Sequence, residues 1–393
     1  MNQALGFILL VVLAPLGIMT ILFALQTLTG VANRARRILP GAVLPSMAVV
    51  VPAHDEEAGI RETLLAIRTH LTEHERLVVV ADNCTDSTAE IATACGAEVC
   101  VRMDAEHRGK GYALDCGIRH LLAAPPQVVV IVDADCMPAP GALELLSHEA
   151  FRLSRPIQAL YMMKAPPGAG LTTRIASFAW TIKNLVRPLG LASLGLPCQL
   201  MGTGMAFPWK LISTTSLGNG HLVEDMMLGL TLAERSYAPV FCPGALITSF
   251  FPSSTDGLKS QRYRWEHGHL SLITNNAPRA LLRAVRTCNW PLAALAIDLM
   301  ILPLALLILV LGLTLIVAAW LRMHGGMSLP LSLSLDLICV IVASVMLCWW
   351  KFGRDNVTLF DLCRGFGYVL WKTPLYLHFF VKRQIVWVRS DRN

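Results

Sequence analysis

Acidic side chains follow three apolar segments of this sequence, each at the point where the segment ends. Glu56 follows the first of these segments, Asp82 the second, and Asp133 and Asp135 the last. A single acidic pair of this kind is more often a helix cap or a solvated turn, but three such endings on one sheet edge favour a shared site. Mg2+ and Mn2+ prefer carboxylate oxygens, commonly together with substrate phosphates. The residues therefore predict a metal-assisted site for a phosphorylated ligand.

A short basic turn, Arg108-Gly109-Lys110-Gly111, precedes a segment of helical length. Backbone N–H groups at a helix amino terminus, together with the ammonium group of Lys110, are suited to bind a phosphate. Without carboxylates nearby, a surface loop would be the better interpretation. The carboxylates that follow the apolar segments therefore favour a phosphate site here.

The apolar segments supply the scaffold that would position these side chains. Four of them are short and rich in β-branched residues, as buried parallel strands are, namely 47–51, 77–81, 97–101 and 128–132. Helix-sized segments begin between them at Glu56, Ser87 and Lys110. This alternation predicts an α/β fold with an open sheet, whose ligands bind at the carboxyl ends of the strands.

Several classes of protein are excluded by what the sequence lacks. No GxGxxG follows the first strand and no GxxxxGK[ST] occurs, which argues against dinucleotide oxidoreductases and P-loop NTPases. The 11 cysteines include no CxxC pair, so they favour reduced thiols over a zinc site or a disulfide framework. The net charge of +6 comes without a basic run beside aromatic residues, so nucleic acid is not expected as a partner.

Composition predicts an integral membrane protein, because 54% of the 393 residues are hydrophobic and only 15% are charged. Residues 4–30 carry no charge and are long enough to cross the bilayer as a helix. A signal peptide is disfavoured, because the basic residues Arg34, Arg36 and Arg37 follow the apolar stretch. By the positive-inside rule, the chain after Arg34 faces the cytoplasm.

Two further apolar runs, Trp290 to Trp320 and Leu329 to Trp350, predict a transmembrane hairpin. Asp298 and Asp336 lie within these runs, and we expect both near the membrane interfaces. The tail mixes aromatic and basic residues and contains Pro374, which favours interfacial helices over a crossing. Three spans are therefore expected, with four as the alternative.

These features divide the sequence into a transmembrane segment with its basic flank (1–45), a cytoplasmic α/β domain (46–272), a transmembrane hairpin (290–350) and a membrane-associated tail (351–393). Within the domain, residues 171–189 place apolar side chains at helical spacing with basic ones between them. The pattern is typical of a helix at the membrane surface, and an ordinary core-facing helix fits nearly as well.

The order of the motifs between residues 46 and 272 resembles that of glycosyltransferase family 2, the GT-A fold enzymes that include cellulose, hyaluronan and poly-N-acetylglucosamine synthases. The segments that carry the resemblance are VVVPAHDEE, VVVADNCTDST, RGKGYALDCGI, VDADC, GTGMAF, VEDMMLG and QRYRW. QRYRW, placed after the ED pair and before a predicted hairpin, is the most specific of them. Two positions depart from the family pattern, because Asp55 replaces an asparagine and Val223 replaces a threonine or serine.

The resemblance implies a UDP-sugar donor and roles for twelve residues. Asp135 and Asp133 would bind Mg2+ or Mn2+, and Asp225, paired with Glu224, would act as the catalytic base. Substrate-binding roles would fall to Pro52, Glu56, Asp82, Lys110, Asp133, Gly202, Gln261, Arg264 and Trp265. Direct attack by an acceptor hydroxyl inverts the anomeric centre, so an α-linked donor would give a β-linked product.

The expected function is therefore transfer of a sugar to a glycan or lipid-linked acceptor at the inner (plasma) membrane, in exopolysaccharide or cell-envelope polysaccharide synthesis. Other polysaccharide-assembly proteins are candidate partners. Two alternatives stay open. One is transfer of a single sugar to a lipid, such as a polyprenyl phosphate or a hopanoid- or ceramide-like headgroup. The other is a non-enzymatic membrane protein that binds nucleotide.

Overall fold

A computed structural model describes residues 2–33, 44–218, 220, 223–252 and 255–381, and its α/β region is built on one eight-stranded sheet. The strands lie in the order β3-β2-β1-β4-β7-β6-β8-β5. Their bounds are β1 Met47–Ala53, β2 Arg76–Asp82, β3 Glu98–Arg102, β4 Val128–Ile131, β5 Met137–Pro138, β6 Ile157–Lys164, β7 Met205–Pro208 and β8 Val240–Phe250.

The four strands predicted from the sequence form the parallel half of this sheet. β1 pairs in parallel with β2 on one side and β4 on the other, with Val49 opposite both Leu77 and Val130. β1, β2 and β4 are buried on both faces, which is why they read as unbroken apolar runs, whereas β3 lies at the edge of the sheet and is only half-buried. The expected open α/β sheet is confirmed. The other half, in which β7 runs antiparallel to both β4 and β6, extends it.

Helices cover both faces of the sheet. On one face α2 (Ile60–Arg68), α3 (Thr88–Ala94) and α5 (Ala142–Leu153) bury apolar side chains against the strands. On the other face α4 (Lys110–His120), α8 (Trp209–Ile212) and α9 (Glu224–Glu234) do so. α4 begins at Lys110, as expected, whereas α2 begins four residues after Glu56. A turn intervenes there, in which Gly59 N–H donates to the Glu56 carbonyl oxygen at 3.1 Å.

The remaining helices follow the sheet or connect its strands. They are α1 Asn2–Ala32, α6 Leu171–Thr181, α7 Arg187–Ser193, α10 Thr255–Asn275, α11 Ala277–Arg286, α12 Trp290–Met300, α13 Leu304–Met323, α14 Leu329–Cys348, α15 Leu359–Trp371 and α16 Thr373–Val381. A π-helical segment, Ile182–Val186, joins α6 to α7, and a second one, Trp349–Gly353, extends α14.

Three described helices are long and apolar enough to cross a membrane: α1, α13, and α14 with its π-helical extension to Gly353. The expectation of one continuous run from Trp290 to Trp320 is wrong. The run is split into α12 and α13 at Ile301–Pro303, and only α13 has the required length. Pro303 explains the break, because proline lacks an N–H and disfavours helical geometry in the residue before it.

α1 packs against α13, α14 and α7. Its contact with α7 and the preceding π-helical segment is between backbones: a Cβ added to Gly190 would lie 2.0 Å from the Gln26 carbonyl oxygen, and one added to Gly30 would lie 2.0 Å from that of Val186. The contact therefore requires glycine at both positions. It joins the first apolar helix rigidly to the α/β region.

The described part of the tail forms two short helices, α15 and α16, with the boundary at Lys372 just before Pro374. Thr358 and Asp361 form a reciprocal cap at the start of α15. The basic residues Arg34, Arg36 and Arg37 and the chain beyond Val381 lie outside the described residues. All 11 cysteines are free thiols, although Cys288, Cys339 and Cys363 are exposed rather than buried.

Candidate active site

The carboxyl ends of β1, β2 and β4 open into a cavity of about 280 Å3 that extends to α7, α10 and α12. All twelve residues singled out in the sequence line this one cavity: Pro52, Glu56, Asp82, Lys110, Asp133, Asp135, Gly202, Glu224, Asp225, Gln261, Arg264 and Trp265. They come from seven separate stretches of sequence. Their convergence in space is a finding, while their individual roles stay predictions.

Asp82, at the end of β2, is held in a network of hydrogen bonds. Its Oδ1 accepts from Arg102 Nη1 at 2.6 Å and from Asn83 Nδ2 at 3.0 Å. Burial raises the pKa of Asp82, while the Arg102 guanidinium opposes that rise. The guanidinium also lies 5.4 Å from the ring centroid of Tyr112. Asp82 is therefore a fixed acceptor at one end of the cavity.

The backbone at Asp55 explains the departure from the family's asparagine. Its φ is +52°, in the left-handed region, where Asn and Asp are the side chains best tolerated. Its Oδ1 accepts the Thr85 N–H at 2.6 Å, tying the loop after β1 to the loop after β2. Either residue can serve this turn, so the replacement leaves the local geometry intact.

Lys110, the first residue of α4, reaches across the cavity floor. Its Nζ forms an ion pair with Asp133 and donates to the Gly202 carbonyl oxygen at 2.8 Å. Although burial alone lowers the pKa of Lys110, the charges of Asp133 and Glu224 raise it above its usual value. Lys110 is therefore a permanent cation beside the acidic residues that follow β4.

Asp133 and Asp135 form a candidate site for a divalent cation. One ligand atom from each, and Cys136 Sγ, lie within 4.8 Å of one another. Burial raises the pKa of the Cys136 thiol well above its usual value, so it stays neutral and is a poor ligand. Two carboxylates without a thiolate or imidazole among them match the oxygen preference of Mg2+ and Mn2+. The residues present therefore fit such an ion.

Glu224 and Asp225 occupy the first turn of α9 and face the cavity. Burial and the neighbouring charge of Asp225 raise the pKa of Glu224 to about 7. Burial also raises the pKa of Asp225, opposed by the Met226 N–H at 2.8 Å and by the charges of Lys110 and Lys183. A carboxylate with a raised pKa in a protected cavity is suited to take up a proton.

Gly202 lies between the two charged groups. Its φ is +89°, and a Cβ there would be 3.5 Å from Asp225 Oδ2 and 3.7 Å from Lys110 Nζ. Any side chain would occupy the space beside the carboxylate. Glycine at this position therefore keeps both the backbone conformation and the access to Asp225.

The QRYRW segment lies on α10, which places Gln261, Arg264 and Trp265 along the cavity. Gln261 is 2% exposed, and its Oε1 has no hydrogen-bond partner among the described residues. The ring of Trp265 lies 5.0 Å from that of Trp180, centroid to centroid. Trp180 in turn donates from Nε1 to the Tyr161 carbonyl oxygen at 3.1 Å. Trp180 thus supports the ring of Trp265.

Sequence reasoning missed a polar cluster at the far end of the cavity. Asp298, expected at a membrane interface, is only 8% exposed and accepts hydrogen bonds from Arg187 Nη2 at 2.7 Å, Gln26 Nε2 at 2.9 Å and Gln199 Nε2 at 3.2 Å. Lys183, one turn before Arg187, also lines the cavity. The i, i+4 spacing of these two cations within an apolar stretch was the available signal, but it was attributed to a membrane-facing surface.

The segment 171–189 matches the core-facing alternative weighed for it. Its apolar side chains Ile175, Phe178, Ile182 and Val186 are buried, as in a core-facing helix. Its basic side chains Lys183 and Arg187 face the cavity.

The eight-stranded mixed sheet, with its acidic pair after β4, defines a GT-A fold. The family model described as glycosyltransferase like family 2 matches residues 45–268, more than half of the chain. The chain therefore belongs to glycosyltransferase family 2.

Two curated relatives illustrate the range of the family. Glucomannan 4-beta-mannosyltransferase 7 of Arabidopsis thaliana is 24% identical over 269 residues, which cover 63% of this chain and 47% of that protein. The probable glycosyltransferase YdaM of Bacillus subtilis is 25% identical over 247 residues, 58% of this chain and 56% of that one. The chain thus spans about half the length of these relatives.

Among solved structures, a mannosyltransferase from Pyrobaculum calidifontis in complex with GDP-mannose and Mn2+ matches with a TM-score of 0.52. It is 17% identical, and the match covers 90% of this chain and 100% of that one. At this identity the likeness shows the fold, including the helices outside the sheet, and nothing about the substrate.

Proposed function

We propose that the chain is a membrane-bound, inverting glycosyltransferase that moves a sugar from a UDP-sugar to a glycan or lipid-linked acceptor. The observation that carries the proposal is the cavity itself. It brings a lysine at a helix amino terminus, two carboxylates suited to a divalent ion and a second carboxylate pair around one glycine, Gly202. Each group has a part in breaking a glycosyl–phosphate bond.

The nucleotide would lie against the parallel half of the sheet. Asp82 offers a fixed acceptor to a base or ribose donor, and Lys110 lies beside the place where a pyrophosphate would meet the first turn of α4. Asp133 and Asp135 would hold Mg2+ or Mn2+, which when bound offsets negative charge on the departing nucleoside diphosphate. Arg264 adds a guanidinium, whose geometry matches phosphate oxygens.

The acceptor would lie on the other side of Gly202, where Asp225 faces the cavity. Asp225 takes the proton from the attacking hydroxyl as the new bond forms, and attack opposite the leaving group inverts the anomeric carbon. Glu224 and Lys110 set the charge around that base. Trp265, supported by Trp180, presents an apolar ring to a sugar.

The three long apolar helices and the basic residues that follow α1 in the sequence support a proposal for the place of the reaction. We propose that α1, α13 and α14 cross the inner membrane and that the α/β region is cytoplasmic, where nucleotide sugars are made. The product would be an exopolysaccharide or related envelope glycan, assembled with other membrane proteins. Three spans alone are too few to surround a polymer channel.

The direct test is release of nucleoside diphosphate by the purified chain. A panel of UDP-glucose, UDP-N-acetylglucosamine, UDP-galactose, UDP-glucuronate and GDP-mannose is offered with native lipids, with Mg2+ or Mn2+ and with EDTA. Asp225→Asn is compared with the wild type. We expect one UDP-sugar to be turned over with the metal only, and a loss of about 100- to 10,000-fold in the variant.

A matched control is Asp355→Asn, which changes an exposed carboxylate outside the cavity and should retain full activity. Turnover of GDP-mannose alone would overturn the UDP assignment and leave the transferase proposal standing. Equal release by wild type and Asp225→Asn would overturn the base. No release from any donor would favour the non-enzymatic alternative.

A further inference from the structure

The far end of the cavity carries a positive charge, Lys183, to which the proposed transfer reaction assigns no ligand. Lys183 lies in the π-helical segment between α6 and α7, a type of helix irregularity that is frequent at functional sites. Its side chain lines the same cavity as Asp225 and Trp265. What this lysine binds therefore bears on the acceptor.

Two other cations of the cavity have carboxylate partners. Lys110 pairs with Asp133, and Arg187 pairs with Asp298. Lys183 Nζ makes no hydrogen bond or ion pair with any described residue and lies 5.5 Å from the ring centroid of Trp180. Burial lowers the pKa of Lys183, and the more distant charges of Asp225 and Glu266 oppose this only in part, so its charged form is poorly solvated. An anion from outside would supply the missing partner.

This end of the cavity is also where the α/β region meets the first apolar helix. Gly190, two turns after Lys183, contacts the α1 backbone at Gln26, and Arg187 Nε donates to Gln26 Oε1 at 2.6 Å. If α1 crosses the membrane, the carboxyl end of that helix, and with it Lys183, lies close to the headgroup layer. A ligand that reaches Lys183 from the bilayer would extend toward Asp225.

We propose that Lys183 is the anion-binding residue of the acceptor site and that the acceptor is a membrane lipid carrying a phosphate. The lipid's phosphate pairs with the Lys183 ammonium group, and its attached sugar or headgroup hydroxyl faces Asp225. This proposal rests on the proposed function, because it names the class of acceptor for that same site. It adds a lipid phosphate as the feature by which the acceptor is recognised.

The experiment measures binding rather than turnover. Radiolabelled farnesyl phosphate is titrated against the purified full-length chain in detergent micelles, with farnesol and inorganic phosphate as competitors and no donor present. A charge-assisted hydrogen bond at a sheltered site predicts an affinity loss of about tenfold or more for Lys183→Met. Lys183→Arg, which keeps the charge, should restore most of the affinity. Lys210→Met, at an exposed lysine of α8, should bind as the wild type does.

Competition identifies the source of the phosphate. Weak competition by farnesol and by inorganic phosphate alike would support recognition of a lipid and its phosphate together. Farnesol competing as well as farnesyl phosphate would overturn the anion site, and inorganic phosphate competing equally would overturn the lipid as its source.

A different role for Lys183, as the counter-ion of Asp225, predicts another pattern. Lys183→Met would then move the acid limb of the transfer rate without changing the affinity for farnesyl phosphate, and that result would overturn the proposal. Since binding is measured without donor, its failure leaves nucleoside diphosphate release as an independent test of the transferase.

Discussion

Glu224 and Asp225 are adjacent carboxylates in one sheltered space, and both have raised pKa values. A raised pKa means that the carboxyl group holds its proton up to a higher pH, so the base is available only above that range. We expect the transfer rate to fall as the pH decreases through the range in which Asp225 takes up a proton, a range that burial moves above that of an ordinary aspartate. A pH profile of kcat at saturating substrate concentrations measures this fall in rate, which is the acid limb of the profile.

The variant Glu224→Gln tests whether the acid limb of the pH profile reports ionisation of Glu224 and Asp225. Removing one negative charge makes ionisation of the other carboxyl group easier, so the limb should move to lower pH even if the maximal rate drops. A limb that stays in place would assign it to a group outside the pair, such as a phosphate of the substrate.

Gly202 offers a test of access to the base. In Gly202→Ala the new methyl group would lie 3.5 Å from Asp225 Oδ2, and the backbone at φ +89° would be strained. Gly141→Ala is the matched control, because its φ is +76° but nothing lies within 4 Å of the new Cβ. Both variants should lose about 1–3 kcal/mol of stability in thermal unfolding. Only Gly202→Ala should lose transfer, by tenfold or more, in assays below both unfolding temperatures.

Equal activity losses in the two glycine variants would mean that strain alone explains the effect. Loss of stability without loss of transfer at Gly202 would remove the acceptor from this side of the cavity.

Residues with strong local signals could be found from the sequence, and residues defined by tertiary pairing could not. Asp82, Asp133 and Asp135 follow apolar strands, and parallel strands bring their ends to one edge. Asp298 carried no such signal, because it lies in an apolar stretch whose composition resembles a membrane segment, and the helical spacing of Lys183 and Arg187 fitted a membrane-surface helix equally well. Only packing of α12 against the α/β region shows that Asp298 faces a cavity.

At the scale of elements, the contact between α1 and α7 depends on two glycines that admit no side chain. Gly190→Ala would place a methyl group 2.0 Å from the Gln26 carbonyl oxygen, so one helix must shift. Overpacking of this kind costs about 1–3 kcal/mol. We expect a lower unfolding temperature. It is measured by heating the protein in detergent and determining the fraction that stays monodisperse.

The control for this variant is Gly312→Ala on α13, where nothing lies within 4 Å of the added Cβ. Both substitutions gain helix propensity, but only Gly190→Ala meets a backbone. A similar unfolding temperature for both variants would show that α1 is not held to α7 in the way the contact suggests.

The buried pair of Arg187 and Asp298 joins α7 to α12, and Gln26 of α1 bonds to both. Removing one partner leaves the other charge buried, which costs about 3–5 kcal/mol, whereas replacing both by apolar residues is often neutral. We expect Arg187→Met and Asp298→Leu each to destabilise strongly and the double variant to recover most of the loss. Thermal unfolding of the four proteins gives the coupling energy.

The exposed ion pair of Arg283 and Glu234 serves as the reference for this comparison of single and double variants. Arg283→Met should cost no more than about 1 kcal/mol, because water solvates the charge that is left behind. Strictly additive effects at Arg187 and Asp298 would mean that their ion pair contributes nothing.

Helices and strands could be predicted where a local sequence pattern marks them. β1, β2 and β4 appear as apolar, β-branched runs because both of their faces are buried, and each of the four predicted strands, including the edge strand β3, lies within two residues of its observed bounds. β6, β7 and β8 mix buried and half-exposed positions and include antiparallel pairs between distant segments, so no local period marks them. The division between α12 and α13 was missed because Pro303 was treated as tolerable within a span.

On the scale of the whole molecule, contacts at the helix ends define two sides of the apolar bundle. Asn2 Nδ2, at the start of α1, donates to the His324 carbonyl oxygen in the α13–α14 connection at 2.6 Å. At the other end of α1, Val31 O accepts from Lys351 Nζ, near the end of the α14 extension. The α/β region follows that second end. If these helices span a bilayer, the α13–α14 connection and the α/β region lie on opposite sides of it.

Thiol labelling tests this arrangement and its orientation. In a chain with exposed Cys339 and Cys363 replaced by alanine, Arg322→Cys adds a thiol at the exposed end of α13, and native Cys288 marks the turn between α11 and α12. In sealed, right-side-out membrane vesicles, a membrane-impermeant maleimide should label Arg322→Cys at once and Cys288 only after permeabilisation. We expect this orientation from the positive-inside rule, because Arg34, Arg36 and Arg37 follow α1 in the sequence. Cys288→Ser shows which part of the labelling after permeabilisation comes from Cys288.

Labelling of Cys288 in sealed vesicles with Arg322→Cys protected would reverse the orientation. Simultaneous labelling of both thiols would mean that the bundle does not separate two compartments.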